Sequence, residues 1–226
     1  MALDVSAERA TKLVEELAPV VGAFKIGSTL FTSAGPDFVR KVRATGASVF
    51  LDLKFHDIPN TVAGAVASAT ALDVQMVTIH TCGGLVMMKG AEQAAQKTAR
   101  ELNRPAPLIL GVTVLTSMDD RSLHEVGVPA SAEDQVLHLA GLAVTSGLRG
   151  LVCSPLEVSK LRPVIPKTMQ LVTPGIRLGD EMADDQKRTL TPKESLAAGA
   201  NWLVIGRPIY AATNPRQAAE KILQTL

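Results

Sequence analysis

The chain has 226 residues, 46% hydrophobic and 20% charged, which is enough to bury a sizeable core and too apolar for wholesale disorder. Lys and Arg number 23 against 22 Asp and Glu, and aromatic residues make up 3%, so neither a basic field nor stacking platforms offer themselves to nucleic acid. No stretch of about 18 apolar residues occurs, so no membrane span is expected. The start, MALDVSAERA, has neither a basic leader nor an apolar signal core, and the expected location is cytoplasmic. Cys82 and Cys153 form no C-x-x-C motif and read as two free thiols of a reducing compartment.

Short apolar runs alternate with amphipathic stretches from end to end. Run 2–3 is followed by Leu13, Val14 and Leu17 on one helical face. Run 23–26 precedes Gly35-Pro36 and a helix carrying Phe38, Val39 and Val42. Run 48–53 precedes a face of Val62, Val66 and Ala69. Run 75–79 leads through Gly83-Gly84 to Met87-Met88, a pair suited to filling core. Run 108–114 precedes a helix that begins near Ser131, with Asp134 in its first turn. Runs 150–153 and 170–172 follow. Thr191-Pro192-Lys193-Glu194 then offers a capping hydroxyl, a proline at the first helical position and a capping-box glutamate. Run 202–205 is last, before Ala218, Ile222 and Leu226 at every fourth position.

The runs are short, mostly β-branched and not strictly alternating, as buried parallel strands are. Eight strand-then-helix units predict an α/β fold of the eight-fold parallel (β/α)8 TIM-barrel type, one domain over 1–226. A doubly wound open sheet is the alternative. Its phosphate fingerprint is missing, since no G-x-G-x-x-G follows the first run and no Walker loop occurs.

A parallel barrel gathers its working groups at the C-terminal ends of its strands. There the sequence places Asp4, Lys25, Asp52 with Lys54, His80, Thr116, Ser154, Pro174-Gly175-Ile176-Arg177 and Gly206-Arg207. The densest cluster runs Asp52-Leu53-Lys54-Phe55-His56-Asp57-Ile58-Pro59-Asn60-Thr61. Alternation along a strand turns Asp52 and Lys54 to the same face, with Lys25 a near neighbour. Unpaired charges there would be costly, so a network is required. A structural ion pair and a catalytic pair fit the spacing equally. Gly206 lets a backbone N–H approach a ligand and Arg207 can chelate phosphate, although a turn glycine and a solvent arginine would look the same. The polar stretch 177–188 reads as a lid over an anion or as a plain solvated loop. His56, His80, His124 and His138 show no metal-ligand spacing, and Ser154 has no G-x-S-x-G elbow.

These motifs together resemble the orotidine 5'-monophosphate decarboxylase family, most closely its bacterial form. The resemblance spans almost the whole chain through Ala-Leu-Asp4-Val, Phe-Lys25-Ile-Gly, the run from Phe50 to Thr61, Val-Leu-Thr116-Ser, Val-Thr-Pro174-Gly-Ile-Arg177, Asp-Gln186-Lys-Arg and Ile-Gly206-Arg207-Pro-Ile. It implies a homodimer that forms UMP from orotidine 5'-monophosphate without metal, flavin or pyridoxal group. It also implies a charged array of Lys25, Asp52 and Lys54, completed by Asp57 from the other subunit, with Thr61 likewise reaching across. By the same resemblance Asp4 and Lys25 hold the ribose, Thr116 and Pro174 flank the pyrimidine, and Arg177, Gln186, Gly206 and Arg207 hold the phosphate. The lid stretch departs in being acidic at its centre.

The chemistry suits these residue types. Loss of carbon dioxide from C6 leaves a carbanion with no attached electron sink. The compact, transferable charge of Lys54 would stabilise it and then protonate it. Asp52 and Asp57 would keep that ammonium charged and crowd the departing carboxylate. Two other functions are weighed. Sugar-phosphate lyases of the same suprafamily share the D-x-K-x-x-D strand but bind magnesium, usually beside Glu-Ile-Gly; here the sequence is Lys25-Ile26-Gly27, and an ammonium repels a dication. A silent, nucleotide-binding barrel would not need Asp52, Lys54 and Asp57 together.

Overall fold

The computed structural model describes residues 1–176 and 189–226. Among them, seven parallel strands lie in sequence order in one sheet: β1 (Phe24–Gly27), β2 (Val49–Phe55), β3 (Met76–His80), β4 (Leu108–Val112), β5 (Gly150–Val152), β6 (Gln170–Thr173) and β7 (Trp202–Leu203). The helices are α1 (Ala7–Leu17), α2 (Ser28–Ala44), α3 (Pro59–Ala71), α4 (Gly84–Glu101), α5 (Asp120–Glu125), α6 (Ala132–Ser146), α7 (Val158–Leu161), α8 (Pro192–Ala197), α9 (Arg207–Tyr210) and α10 (Pro215–Leu223). Each strand pairs with the next, so every connection must cross back over one face, and the intervening helices do so.

The eighth expected run, 2–3, is not a strand of its own. It forms one parallel bridge, Ala2 to Lys25. Leu3 N–H donates to the Lys25 carbonyl at 3.0 Å, and Lys25 N–H to the Met1 carbonyl at 2.8 Å. On its other side Ala2 N–H donates to the Ile205 carbonyl, just beyond β7, at 2.8 Å. Three residues are too few for a ladder, but they bond with β1 on one side and with the segment just beyond β7 on the other.

Alternation splits the apolar residues into two cores. Phe50, Met76, Leu110, Val112, Val152 and Val172 pack together on the inner face. The larger core lies between the sheet and the helices and takes in Ile26, Leu51, Val77, Ile79, Ile109, Leu151 and Leu171. Leu13, Val14 and Leu17 of α1 are buried there, as are Val62, Val66 and Ala69 of α3 and both Met87 and Met88. In α10 the face is turned from the expected one: Ala219 and Ile222 are buried, Leu226 is exposed. The spacing that packs is three residues rather than four, as the 3.6-residue turn permits.

The helix starts follow their local chemistry. Thr191 and Glu194 form the reciprocal capping box, and Ser131 accepts from Asp134 N–H at 3.1 Å. Gly35, at φ 66°, breaks α2 so that Pro36 restarts it with Phe38, Val39 and Val42 on the buried side. Among the described residues no helix is long and apolar enough to cross a membrane. Cys82 is exposed and Cys153 buried, and neither is part of a disulfide.

Candidate active site

The inner face changes character toward the C-terminal ends of the strands. Asp52 stands two residues beyond Phe50, and Thr78 two beyond Met76, so both rise above the apolar layer. Lys25 reaches the same level from β1. Its Nζ lies 3.4 Å from Asp4 Oδ1 and 3.5 Å from Asp52 Oδ2. Lys54 Nζ donates to Asp52 Oδ1 at 2.8 Å and Oδ2 at 2.9 Å. The charges therefore alternate Asp4, Lys25, Asp52, Lys54 along a continuous chain of contacts.

Asp52 and Lys54 meet, as expected, but not by plain alternation. Pairing between β2 and β3 shifts register: Leu51 faces Val77, then Phe55 faces Ile79. Within that bulge Lys54 takes φ 51°, a left-handed conformation uncommon for a residue with a side chain. Such strain persists where the surroundings over-determine it. Here Lys54 N–H donates to Thr78 Oγ1 at 2.9 Å, and Thr78 Oγ1 donates to Asp52 Oδ1 at 2.9 Å.

Electrostatics favour an ionised Asp52. Burial works against its charge, yet the ammonium groups of Lys25 and Lys54 and the hydrogen bonds from Lys54 and Thr78 outweigh it, holding the carboxyl below its usual value. His80, at the end of β3, is also shifted down, which in its case disfavours the charge. Burial, then the nearby His56 and Lys54, lowers its pKa and favours the neutral ring. The rings of His56 and His80 are 5.6 Å apart.

A cavity of about 330 Å³ opens over this array. It is walled by Asp4, Lys25, Asp52, Lys54, Thr116, Pro174, Gly206 and Arg207, all expected site residues. Gly206 is closely approached: a Cβ there would sit 3.2 Å from Ala2 Cβ, a tight contact, and 3.6 Å from Asp4 Oδ2. Asp57 and Thr61 do not reach this wall. Both are exposed on the 56–61 stretch, where Asp57 Oδ1 accepts from Ile58 N–H at 2.6 Å. Arg177 and Gln186, with the rest of the expected lid 177–188, lie outside the described residues. Among the described residues no group of three or more His, Cys, Asp or Glu is placed to hold a metal ion.

Two contributors were not legible as site residues. Tyr210 lines the cavity from α9, and Thr78 ties Asp52 to Lys54 from β3. The available signal for Thr78 is a polar residue in the middle of an otherwise apolar run, Met-Val-Thr-Ile.

A sequence model of the "Orotidine 5'-phosphate decarboxylase / HUMPS family" matches residues 1–222. The chain belongs to this family. Among relatives, an orotidine 5'-phosphate decarboxylase of Opitutus terrae is 56% identical over 95% of this chain and 91% of its own length. One from Moorella thermoacetica is 49% identical over 93% of this chain and 84% of its own. Family resemblance extends to the solved fold. The crystal structure of orotidine 5'-phosphate decarboxylase from Lactobacillus acidophilus superposes with a TM-score of 0.87 at 37% identity, covering 99% of this chain and 96% of that one.

Proposed function

We propose that this protein is an orotidine 5'-phosphate decarboxylase of pyrimidine biosynthesis, converting orotidine 5'-monophosphate to UMP without a cofactor. The observation that carries the reading is the Asp4–Lys25–Asp52–Lys54 array inside one cavity, in a chain of this family. The bond between C6 and the carboxylate breaks, the electron pair stays on C6, and carbon dioxide leaves. The Lys54 ammonium stabilises that pair and then gives it a proton, and the amine regains a proton from water. Asp52 holds the ammonium in place, and its negative charge faces the departing carboxylate. Asp4 and Lys25 take the ribose hydroxyls, while Thr116 and Pro174 flank the base. Arg207 and Gly206, joined by Arg177 and Gln186, take the phosphate, and this remote binding energy orders the charged groups.

In this reading the protein acts as a homodimer in the cytoplasm, and Asp57 and Thr61 complete the partner's site. Two observations support that assignment. Both residues stand outside their own cavity wall, and Ile58 beside them is 67% exposed, while Val86 on α4 is 71% exposed. Apolar side chains so exposed favour a covering surface. The same proposal takes 1–226 as one domain, an eight-unit barrel whose two outer strands meet through residues 1–3, supported by the bonds of Ala2 and Leu3.

The family's description also covers the HUMPS branch, where the weighed alternative is a magnesium-dependent sugar-phosphate lyase. Lys25 argues against it, because its ammonium lies among the carboxylates a dication would need. The test is direct: add orotidine 5'-monophosphate with excess chelator and follow the loss of its ultraviolet absorbance. Full turnover is expected; a strict magnesium requirement, or no turnover, overturns the reading.

A further inference from the structure

Four steps along β2, from Leu51 to Phe55, answer to two steps along β3, from Val77 to Ile79. Lys54 falls inside this irregular stretch, where regular ladder bonding lapses. Its N–H turns instead to the Thr78 side chain, 2.9 Å away. We propose that Thr78 is a positioning residue for the reaction: its hydroxyl, rather than the sheet, sets where the Lys54 ammonium stands. The proposal rests on the reading of Lys54 as the group that serves C6.

The hydroxyl has one proton and two lone pairs, and it uses both kinds of capacity. It accepts from the Lys54 backbone and donates to Asp52 Oδ1, each at 2.9 Å. Asp52 in turn accepts from the far end of the Lys54 side chain at 2.8 and 2.9 Å. One hydroxyl thus closes a loop running from the Lys54 backbone through Thr78 and Asp52 to the Lys54 ammonium. A long, flexible side chain is held at both ends, with its backbone at φ 51°. Thr78 is wholly buried, so water does not substitute for it.

The other buried threonines behave differently. Thr70, Thr81, Thr113 and Thr173 each donate to a backbone carbonyl, which stitches helix or sheet together. Thr78 alone of this group donates to a carboxylate, and that carboxylate holds the ammonium. A packing role would be met by any side chain of this shape; the loop requires the hydroxyl.

The shape-preserving variant Thr78→Val replaces that hydroxyl with a methyl group of similar size. Its kcat for decarboxylation is expected to fall about 10- to 100-fold, the cost of a misplaced catalytic group. Its affinity for uridine 5'-monophosphate should stay within about threefold, because the loss falls on the chemical step. Thr78→Ser keeps the hydroxyl and should retain kcat within about threefold of wild type. Wild-type kcat in Thr78→Val, with only a lower Tm, overturns the proposal. So does Thr78→Ser that is as slow as Thr78→Val. If Thr78→Val does not fold, the comparison is between Thr78→Ser and Thr78→Ala, and equal kcat in that pair overturns it. Wild-type turnover, measured alongside, separates the two readings: its absence defeats the decarboxylase assignment, whereas normal wild-type turnover with indifferent variants defeats the role of Thr78 alone.

Discussion

The two ends of the sheet use positive charge in opposite ways. At the N-terminal ends of the strands the cations are arginines bonded to backbone. Arg43 donates to the Ala47 carbonyl ahead of β2 and to Asp73 ahead of β3. Arg149 donates to the Pro107 carbonyl ahead of β4 and to Glu92 of α4. Arg162 donates to the carbonyls of Met169, ahead of β6, and Gly199, ahead of β7. Each planar fork ties neighbouring loops with several fixed donors. At the C-terminal ends Lys25 and Lys54 meet carboxylates beside a cavity whose wall also carries Arg207. A fork suits stapling; a compact ammonium suits a charge that must face a substrate and give up a proton. What the cations touch therefore separates the two ends: backbone carbonyls between loops at one, carboxylates of the proposed active site at the other.

The strongest attempt to break this contrast is Lys54→Ala. It should lower kcat by at least about 10⁴-fold, since in the proposed mechanism it removes both charge stabilisation and the proton donor. UMP binding, read by calorimetry, should remain measurable. Near-normal turnover would place the chemistry elsewhere.

Mixing inactive subunits sharpens the same end. Lys54→Ala and Asp57→Ala chains, denatured and refolded together, should regain roughly one quarter of the wild-type sites, because half the symmetric pairs are mixed and each mixed pair has one intact site. Persistent inactivity would count against a shared site.

Arg162→Ala probes the opposite end. It strips hydrogen bonds from two half-buried carbonyls and should cost about 2–3 kcal/mol. A Tm fall of about 4–12 °C by calorimetry would accompany it, with kcat per folded site unchanged. A kcat loss as large as that of Lys54→Ala would erase the division between the ends.

The smallest effect concerns pH. Asp52 has a lowered carboxyl pKa in the folded protein. Its contribution to stability is then fully present above the ordinary value of 3.8 and is lost as pH falls through the lower, folded value. Below pH 3.8 the wild type should lose Tm more steeply than Asp52→Asn, as followed by circular dichroism. Parallel curves would show that Asp52 is not held ionised by the lysines.

Much of the fold was legible because it is written in local periods. Short apolar runs separated by amphipathic faces mark strands and helices, and Thr191 to Glu194 marks a helix start without reference to anything distant. The C-terminal ends of the runs then point to Asp4, Lys25, Asp52, Lys54, Thr116, Pro174, Gly206 and Arg207, which do share a cavity. Less legible were features set by pairing. Run 2–3 looked like an eighth strand and is one bridge, because its length allows no more. Ala218 and Leu226 gave way to Ala219 on the buried face of α10, because which side of a helix packs depends on what lies beneath it. Thr78 carried no motif of its own, since its role depends on β2 being out of register beside it.

By itself, then, the sequence determined the order of parallel units and the residue types at the strand ends, because burial periodicity and capping are settled within a few residues. Only the tertiary structure decided that Lys54 sits in a bulge at φ 51° and that Thr78 completes its loop with Asp52. It alone also decided that residues 1–3 bond with β1 and with the segment just beyond β7, and that Asp57 and Thr61 stand away from their own cavity. Each of these depends on hydrogen bonds or distances between segments far apart in the chain, and no local period encodes them.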